Sequence, residues 1–545
     1  MLPSEITQKL AALEVDFDTS ARAVTADGLE DFFNPMGPRD HVAFLEDCAR
    51  RLCDATRQLI ADENPYADAV RILQHHVLVD AAALYAAHLT VARCSAAGHT
   101  VRAAPSARLL AAVAEGAAPD NPSIVSILSR GPGAPRRSRY PLRLANDLLR
   151  QSDVRRVRLF RPDFDRDIIT FTHSPLISRH AADTDERVTY RRPVIWFGRG
   201  QPRPDGADVD LEAATAAVVD AVTQSFATLD LPVQPASAAY LSHWIGRAIA
   251  LTRGWGDIIE TNADKLPMRF WTGSSGDIWA RILRRHVRKH GGHVTGHDHG
   301  TTHGHIRGGL AKTFVEFEDC DTFVTYSQWQ ADGLRHAARA DLLIDGVVPE
   351  ITSVPPATRT AQSNTALSNT GQPGTGAPKR VMYVSSFYLS DWVPYIPFVP
   401  DLAMLDWEAR ALAELVADGF EVLYKPRPPG PRTEAPAGMA EALGARTLTG
   451  MFEQMSKSAD AFILIDPTST TFALAFNTGK PVVFVDFGLH EFDPDAAAAM
   501  TRQCAVVEAR FDADNRVQMA PGALAAALTA APARHDTTFS EHFCA

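Results

Sequence analysis

The residues best suited to chemistry lie between positions 291 and 327, in the stretch GGHVTGHDHGTTHGHIRGGLAKTFVEFEDCDTFVTYS. Histidines, acids and glycines are interleaved there between a basic segment and an apolar one. Glycine lets backbone N–H groups come close to a bound anion, while His and Asp side chains titrate or orient protons near neutral pH. This combination predicts transfer chemistry on a phosphorylated substrate.

The strongest candidates in this stretch lie where the predicted strand HVTGHDH ends. They are Asp298, His299 and Gly300, with His303 next in rank. An Asp and a His at the end of a strand can hold or exchange a proton with a substrate in the adjoining loop. We therefore expect these residues to form the catalytic centre.

Two acids follow in FVEFEDCD, Glu316 and Glu318. Their alternation predicts a strand with both carboxylates on one face. One of them, with Glu316 preferred, would act as a general base or hold a ribose hydroxyl. The alternative is that both are solvated surface acids.

The histidine spacing is also compatible with a metal site. His297, His299, His303 and His305 form an HxHxxxHxH pattern. Zinc needs three or four firmly placed ligands, however, and His-rich loops also arise without metal. We therefore predict no metal and no other cofactor, and keep a metal-dependent hydrolase as the alternative.

A second group of candidates lies near the C-terminus, where KPRPPG and DPTSTT each follow a predicted strand. Lys425 and Arg427 can hold a phosphate. Ser469, Thr470 and Thr471 would open a helix whose N-terminal N–H groups favour an anion, although Ser and Thr cap many helices without binding anything. Together they predict a donor-binding site.

A further turn, SSGD, joins a predicted strand (PMRFWTG) to a predicted helix (IWARILRRHVRKHGG). Ser274, Ser275 and Gly276 could therefore bind an anion or an acceptor hydroxyl at the start of that helix. A well-formed turn with no ligand is the alternative.

The periodicity of apolar residues predicts the helices and strands that must position these candidates. Residues 1–150 show helical spacing, residues 151–351 alternate short apolar runs with helical segments, residues 352–378 are Pro-, Thr-, Ser- and Gly-rich, and residues 379–545 resume the alternation. This predicts a helical N-terminal region, a first Rossmann-like domain, a flexible linker and a second Rossmann-like domain. In open α/β sheets ligands bind at the carboxyl ends of the strands, so the candidates would face a common cleft.

Composition restricts the class of protein. The chain has 545 residues, of which 46% are hydrophobic and 22% charged, and its net charge is -11. This length predicts two or three domains, and no uninterrupted apolar run approaches the roughly 20 residues that span a bilayer. The negative charge argues against a general nucleic-acid binder.

Other features bear on location and partners. The N-terminus lacks the pattern of an export signal, and the six scattered cysteines favour reduced thiols in a cytoplasm. Arg-rich segments at 136–166 and 281–289 could attract a nucleotide phosphate, an anionic glycan or a membrane surface, or could be solvated helix faces. We expect a cytoplasmic protein, with peripheral association at the inner face of the membrane left open. The oligomeric state cannot be read from the sequence.

The motifs also occur in a known order. A Gly-rich HG loop, a later acidic residue, a KPxP element and a DxxSTT element follow one another in bacterial surface-carbohydrate transferases. Over residues 150–490 the chain resembles GT-B glycosyltransferases, and within them it is similar to the group of Kdo transferases, which use a CMP-activated sugar, and CDP-glycerol glycerophosphotransferase-like enzymes. The family reads KPHP or RPHP where this chain has Arg427. Arginine is a permanent cation, but it cannot carry protons near neutral pH.

The resemblance implies two Rossmann-like domains in a GT-B arrangement. It also implies a nucleotide-activated sugar donor, with a CMP-sugar favoured, and a glycan or glycolipid acceptor in capsule or lipopolysaccharide biosynthesis. The second domain would bind the donor, and Asp298 or Glu316 would be the base of an inverting reaction or the nucleophile of a retaining one. The alternatives are the metal-dependent hydrolase and a non-catalytic nucleotide- or glycan-binding protein.

Overall fold

A computed structural model of the chain has a mixed α/β fold with two parallel sheets, which confirms the predicted α/β class. The structure describes residues 24–25, 28–29, 32–101, 103, 107–120, 122–132, 164, 167–172, 174–184, 186–198, 201–202, 208–273, 276–299, 304–307, 310–355, 378–386, 388–389, 393–427, 438–531 and 536–543.

The described α-helices are α1 (Asp40–Ala61), α2 (Ala67–Ala96), α3 (Arg108–Glu115), α4 (Ser123–Arg130), α5 (Pro175–Asp183), α6 (Val194–Phe197), α7 (Val209–Thr228), α8 (Pro235–Glu260), α9 (Ile278–Lys289), α10 (Gln328–Ala337), α11 (Asp401–Ala417), α12 (Met439–Ala442), α13 (Phe452–Met455), α14 (Thr470–Phe476), α15 (Pro494–Gln503), α16 (Ala523–Ala530) and α17 (Thr538–Phe543). A π-helix spans Ala311–Phe317, and short 3₁₀ turns occupy Ala263–Lys265, Ala340–Leu342 and Ser456–Ser458.

The described strands are β1 (Val24–Thr25), β2 (Gly28–Leu29), β3 (Ile168–Thr170), β4 (Val188–Tyr190), β5 (Arg269–Thr272), β6 (His293–His297), β7 (Ile306–Arg307), β8 (Thr322–Thr325), β9 (Glu350–Ser353), β10 (Arg380–Val384), β11 (Glu421–Lys425), β12 (Arg446–Thr447), β13 (Ala461–Leu464), β14 (Val482–Asp486), β15 (Glu491–Phe492), β16 (Ala505–Phe511) and β17 (Val517–Met519).

The N-terminal helices pack on later helices rather than standing apart. Helix α2 packs against α1 and α8, and α7 packs against both α1 and α8. Phe44 of α1, Tyr85 of α2 and Phe226 of α7 are in mutual ring contact in this core. Apolar residues at helical spacing build this shared core, which also includes residues of the first sheet.

The first sheet has the order β4-β3-β5-β6-β8-β9, and every neighbouring pair in it is parallel. Most residues of its strands are buried, and the buried ones include threonines as well as Ile, Val, Phe and Trp, as expected for a sheet covered on both faces. Asp298 and His299 follow β6 directly and so lie at the carboxyl edge of this sheet.

The second sheet has the order β12-β11-β10-β13-β14-β16-β17. In chain order this is 3-2-1-4-5-6, the order of the doubly wound dinucleotide-binding fold, with β17 added antiparallel at the edge. The direction of winding reverses between β10 and β13, and ligands of such sheets bind at the carboxyl ends beside that switch.

Several predicted elements are wrong. FVEFEDCD, predicted as a strand, forms the end of the π-helix and a turn. Two of the short apolar runs that predict strands in residues 151–351 are also not strands: ADLLIDG is a 3₁₀ turn with Leu342 and Leu343 buried, and RPVIWFG contains the short helix α6. The predicted linker begins inside β9, and residues 356–377 of it lie outside the described residues. An apolar run alone does not distinguish a strand from a buried turn or helix.

Non-covalent contacts, in addition to the covalent chain, connect the two sheets. β7 pairs antiparallel with β15, and the backbone N–H of Asp493 donates to the carbonyl of His305 at 2.9 Å. The C-terminal helix α17 packs on α10, where the Gln330 side chain donates to the carbonyl of Phe543 at 3.0 Å. The region after the first sheet's carboxyl edge is thereby attached to the second sheet.

Candidate functional site

Three of the four predicted catalytic residues lie together at the carboxyl edge of the first sheet. His299 Nδ1 lies 3.1 Å from a carboxylate oxygen of Glu316. Beside this pair, the Lys312 ammonium lies 3.0 Å from Asp298 Oδ1. The π-helix thus supplies one partner to each of two consecutive residues after β6. Seven residues of π-helix are unusual, and such geometry is found frequently at functional sites.

The electrostatics of the His299–Glu316 pair favour its ionised form. Burial acts to raise the pKa of Glu316, but the charges of His299, Lys312 and Arg284 lower it well below its usual range. The carboxylate of Glu316 in turn raises the pKa of His299 above 6.5. His299 therefore carries a proton over a wider pH range than a free imidazole.

Accessibility separates the members of the cluster. Asp298 and Glu316 are 0% and 4% exposed, and Lys312 is 6% exposed. The His299 side chain retains 51% of its surface. Of these four groups, His299 is the most accessible, whereas Glu316 is its buried partner and Asp298 and Lys312 pair with each other.

Two buried arginines of α9 fix the π-helix. Arg284 donates to the carbonyls of Glu316 at 2.9 Å and Asp319 at 3.2 Å, and Arg281 donates to the carbonyl of Val315 at 3.1 Å. Carbonyls at the end of a helix have no partner within the helix, so these bonds satisfy groups that would otherwise cost free energy. They also explain why Glu316 and Glu318 do not share a face.

The acid predicted to share a face with Glu316 has a different partner. Glu318 forms an ion pair with Arg71 of α2 at 2.5 Å and accepts from the backbone N–H of Ile344 at 3.1 Å. It is 5% exposed. Its partners are structural, and the interpretation of both acids as solvated surface groups is also wrong.

The histidines do not gather into a metal site among the described residues. His297 is buried and lies 2.9 Å from His180 of α5, with Trp271 and His180 stacked beside it, and burial lowers its pKa to about 3. His305 points to the second sheet instead. No group of three His, Cys, Asp or Glu side chains within the described ranges is placed to hold a metal ion. His303 lies outside those ranges.

At the second sheet a cleft lies beside the switch between β10 and β13. Its empty volume is about 670 Å³, part of it open to solvent. Most of its wall is apolar, and the polar side chains in the wall are Ser386, Asp466, Thr468, Asp486 and His490. An apolar cleft with a few convergent polar groups is the usual form of a small-molecule site.

The DPTSTT residues begin α14 beside this cleft. Ser469 caps the helix by accepting from the Phe472 N–H at 3.2 Å, and Asp466 accepts from the Thr468 N–H at 2.9 Å and from Ser386 Oγ at 3.1 Å. Capping is therefore one role of this motif. Thr470 is exposed and Thr471 is half-buried. Binding of a donor by these hydroxyl residues stays a prediction.

The two basic candidates differ. Lys425 ends β11, is 4% exposed, and donates to the carbonyl of Pro426 at 2.6 Å. Arg427 is exposed, and the carboxylate of Asp466 opposes the lowering of its pKa by desolvation. Arg427 is thus the more accessible of the two, and it interacts electrostatically with Asp466 of the cleft wall.

Three remaining donor-side candidates, Ser274, Ser275 and Gly300, lie outside the described residues. Gly276 is half-buried, and a Cβ added to it would lie 3.6 Å from His75 Nε2. Asp277 caps α9 by accepting from the N–H groups of Trp279 and Ala280, as the predicted start of that helix requires. Gly276 therefore lies beside His75 of α2.

His305 connects the two regions. Its Nε2 lies 3.1 Å from the carbonyl of Pro467, a residue of the cleft wall, so it donates across the junction. Four phenylalanine rings surround it, and burial lowers its pKa to about 4. These rings belong to Phe472, Phe492, Phe539 and Phe543. The stretch that carries the cluster thus ends against the wall of the cleft.

The basic segment at 281–289 is neither a free patch nor a solvated face. Arg281 and Arg284 are buried in backbone hydrogen bonds, whereas Arg285 pairs with Asp68 at 2.7 Å and Arg288 with Asp321 at 3.0 Å. Its charges are largely neutralised within the protein, so they give little support to membrane association. The segment at 136–166 lies almost wholly outside the described residues.

Sequence reasoning predicted Glu316 but missed several other residues. Lys312 lies four residues before Glu316, a helical spacing that would have placed both on one face. Arg284 was grouped with surface charge, although it lies in an apolar pattern. Ser386 and His490 carried no signal, because only the folded sheet brings them to one cleft.

A comparison with protein-family models found no matching family, and a comparison with curated proteins found no match. One described helix, α2, has the length and apolar composition to cross a membrane, but 67% of its apolar window is buried inside the protein. A core helix meets the same criteria, and α2 packs in the core.

Proposed function

We propose that this protein is a glycosyltransferase of the GT-B arrangement. It would move a sugar or related group from a nucleotide-activated donor, with a CMP-sugar favoured, to a cell-surface polysaccharide or glycolipid acceptor. It would act in the cytoplasm, and association with the inner face of the membrane stays open.

The observation that carries the proposal is the relation between the cluster and the cleft. A half-exposed histidine held by a buried glutamate ends one parallel sheet, and the same stretch of chain reaches the wall of a cleft at the switch point of the second. A reactive group at the edge of one sheet and an apolar cleft at the edge of the other, joined by one stretch of chain, suit a transfer between two substrates.

The geometry supports a division of roles. The nucleoside would lie in the apolar cleft, with Arg427 at its phosphates. His299 in its charged form would face the leaving phosphate or the acceptor hydroxyl, and Glu316 would hold its charge and orientation, as an acid does for a catalytic histidine. Asp298 would hold Lys312 in place through their ion pair, or it would act as the base itself after local opening.

A thermal-shift screen of the purified chain tests this proposal. CMP, CDP, UDP, GDP and dTDP are compared with and without EDTA, since a ligand that binds only the native state stabilises it. Selective stabilisation by one nucleotide supports the transferase and identifies its donor class. No response to any nucleotide contradicts it, and destabilisation by EDTA would favour the metal-dependent hydrolase.

A stabilising nucleotide does not yet establish catalysis. The sugar derivative of that nucleotide should release free nucleotide faster with wild-type protein than with Glu316→Gln. If the nucleotide binds but wild-type protein and Glu316→Gln release free nucleotide at the same background rate, the protein is a non-catalytic binding protein.

A further inference from the structure

Helix α2 is a core helix with one partly accessible face in its middle. In the fully described stretch between Arg71 and Thr90, the four positions that keep accessible surface are His75, His76, Val79 and Asp80. Their spacing, i, i+1, i+4 and i+5, places them on one face of the helix. Partly accessible side chains in the middle of a core helix indicate a recess that reaches into the protein.

The walls of the recess are polar and aromatic. Tyr395 stacks on His75 with ring centroids 5.3 Å apart, and its hydroxyl donates to the carbonyl of His75 at 3.1 Å. The negative charge of Asp80 contributes to raising the pKa of Tyr395 and of Tyr240 on α8, so Asp80 lies within reach of both rings. Gly276 of the SSGD turn is next to His75.

One buried polar atom of the recess is unpaired, and a second polar group has no partner among the described residues. His76 Nε2 is buried without a hydrogen-bond partner, and Asp80 makes no hydrogen bond or ion pair with the described residues. Unpaired buried polar groups cost about 1–3 kcal/mol each, so such groups commonly have a ligand or water as partner. The recess therefore has the character of a binding site.

The chemistry of the recess selects its ligand. Burial lowers the pKa of His76 to about 3 and raises the pKa of Asp80 to about 7, so the imidazole is neutral and the acid is partly neutral at ordinary pH. A neutral imidazole and a carboxyl group offer both donors and acceptors, which suits hydroxyl groups. Tyrosine rings suit the apolar faces of a sugar, and Asp80 disfavours a second anion.

We propose that the recess formed by His75, His76 and Asp80 binds an uncharged, hydroxyl-rich carbohydrate part of the acceptor. This inference rests on the proposed function and assigns its acceptor side to the N-terminal helices. Burial lowers the pKa of His75, and the Glu316 carboxylate is near enough to oppose that lowering, so an acceptor held here would extend toward the cluster.

The test uses the full chain and four probes, the methyl glycosides of glucose, galactose, mannose and N-acetylglucosamine. Saturation-transfer NMR and the imidazole signals of His75 and His76 report binding. We expect at least one probe to shift both imidazoles with a Kd of roughly millimolar. Asp80→Asn should weaken that Kd about tenfold, a loss of about 1.4 kcal/mol.

Asp54→Asn is the matched control, because Asp54 is an acid on α1 whose side chain is 63% exposed. It should leave probe binding unchanged. The proposal is overturned if no probe shifts the His76 signals of the wild-type protein, or if the two variants bind equally well.

The same samples separate this inference from the proposed function. Binding of a glycoside at His76 without stabilisation by any nucleotide would retain the recess and reject the transferase. Stabilisation by a nucleotide without any glycoside binding would retain the transferase and reject the recess.

Discussion

The carboxyl edges of the two sheets differ in how they hold charge. At the first sheet, two acids and two bases are paired and three of the four are buried. At the second, the acids and the histidine line an apolar cleft that is open to solvent. Buried paired charges are fixed before a substrate arrives, which suits chemistry, whereas an open apolar cleft suits binding. Substitutions at the first edge should therefore mainly change turnover, and substitutions at the second edge should mainly change the Kd for the nucleotide.

The largest effect is expected from Glu316→Gln. It removes the counter-charge of His299 and leaves Lys312 and Arg284 buried with less compensation, which costs about 3–5 kcal/mol of stability for a buried pair. Turnover should fall about 100- to 10,000-fold, because the charge and orientation of His299 are lost. Turnover and chemical unfolding are measured on the same sample.

Glu350→Gln is the control for this change, since Glu350 is an exposed acid at the start of β9. Near-normal turnover in folded Glu316→Gln protein would show that the cluster takes no part in the reaction. The proposed difference between the two edges would then be wrong.

Asp298→Asn is expected to have the next largest effect. The amide keeps the shape of the side chain but removes the charge opposite Lys312, so turnover should fall about 100-fold. The Kd for the donor nucleotide should stay within about twofold, because the cleft is not altered. A change in Kd with unchanged turnover would place Asp298 on the binding side instead.

Arg427→Ala tests the binding edge. Loss of an exposed cation at a phosphate should weaken the Kd for the donor nucleotide about tenfold, or about 1.4 kcal/mol, with a smaller change in turnover at saturating donor. Calorimetry measures the Kd. Arg446→Ala is the matched control, because Arg446 is a similarly exposed arginine on β12. Equal affinity of the two variants would contradict the role of Arg427.

The smallest effect concerns the pH dependence of stability. Glu316 has a lowered pKa, so its contribution is present above 4.5 and is lost as pH falls through the folded value. His299 has a raised pKa, so its contribution is present below 6.5 and is lost as pH rises through the folded value. The pair therefore stabilises fully between pH 4.5 and 6.5.

His299→Gln should remove this contribution, which we expect to be ~0.5–1 kcal/mol because His299 is half-exposed and the attraction is screened. Urea unfolding of wild-type and variant protein across pH measures the difference. A difference that is constant from acid to alkaline pH would show that the two groups are not coupled.

The sequence predicted most of the parallel sheets, because runs such as FEVLYKP, AFILIDP and PVVFVDF carry buried β-branched and aromatic residues. It also placed Asp298 and His299 correctly at the end of β6. These features depend on local pattern and on the rule that strands end at loops.

The π-helix could not be predicted in the same way. FVEFEDCD alternates like a strand, and its actual form depends on Arg281 and Arg284, which approach from a separate helix. The recess on α2 was hidden for a similar reason, since only the folded protein shows that His75, His76 and Asp80 remain accessible. Tertiary contacts determine both the form of the π-helix and the accessibility of these α2 residues.

The most direct test of the link between the two edges is the pKa of His299, measured by NMR with and without the nucleotide that stabilises the protein most. A nucleotide phosphate bound between the edges should raise that pKa further, because a second negative charge favours the imidazolium. Arg427→Ala should weaken the response by raising the nucleotide concentration that it requires. An unchanged pKa of His299 at saturating nucleotide would contradict the account, since it would place the bound phosphate away from the cluster.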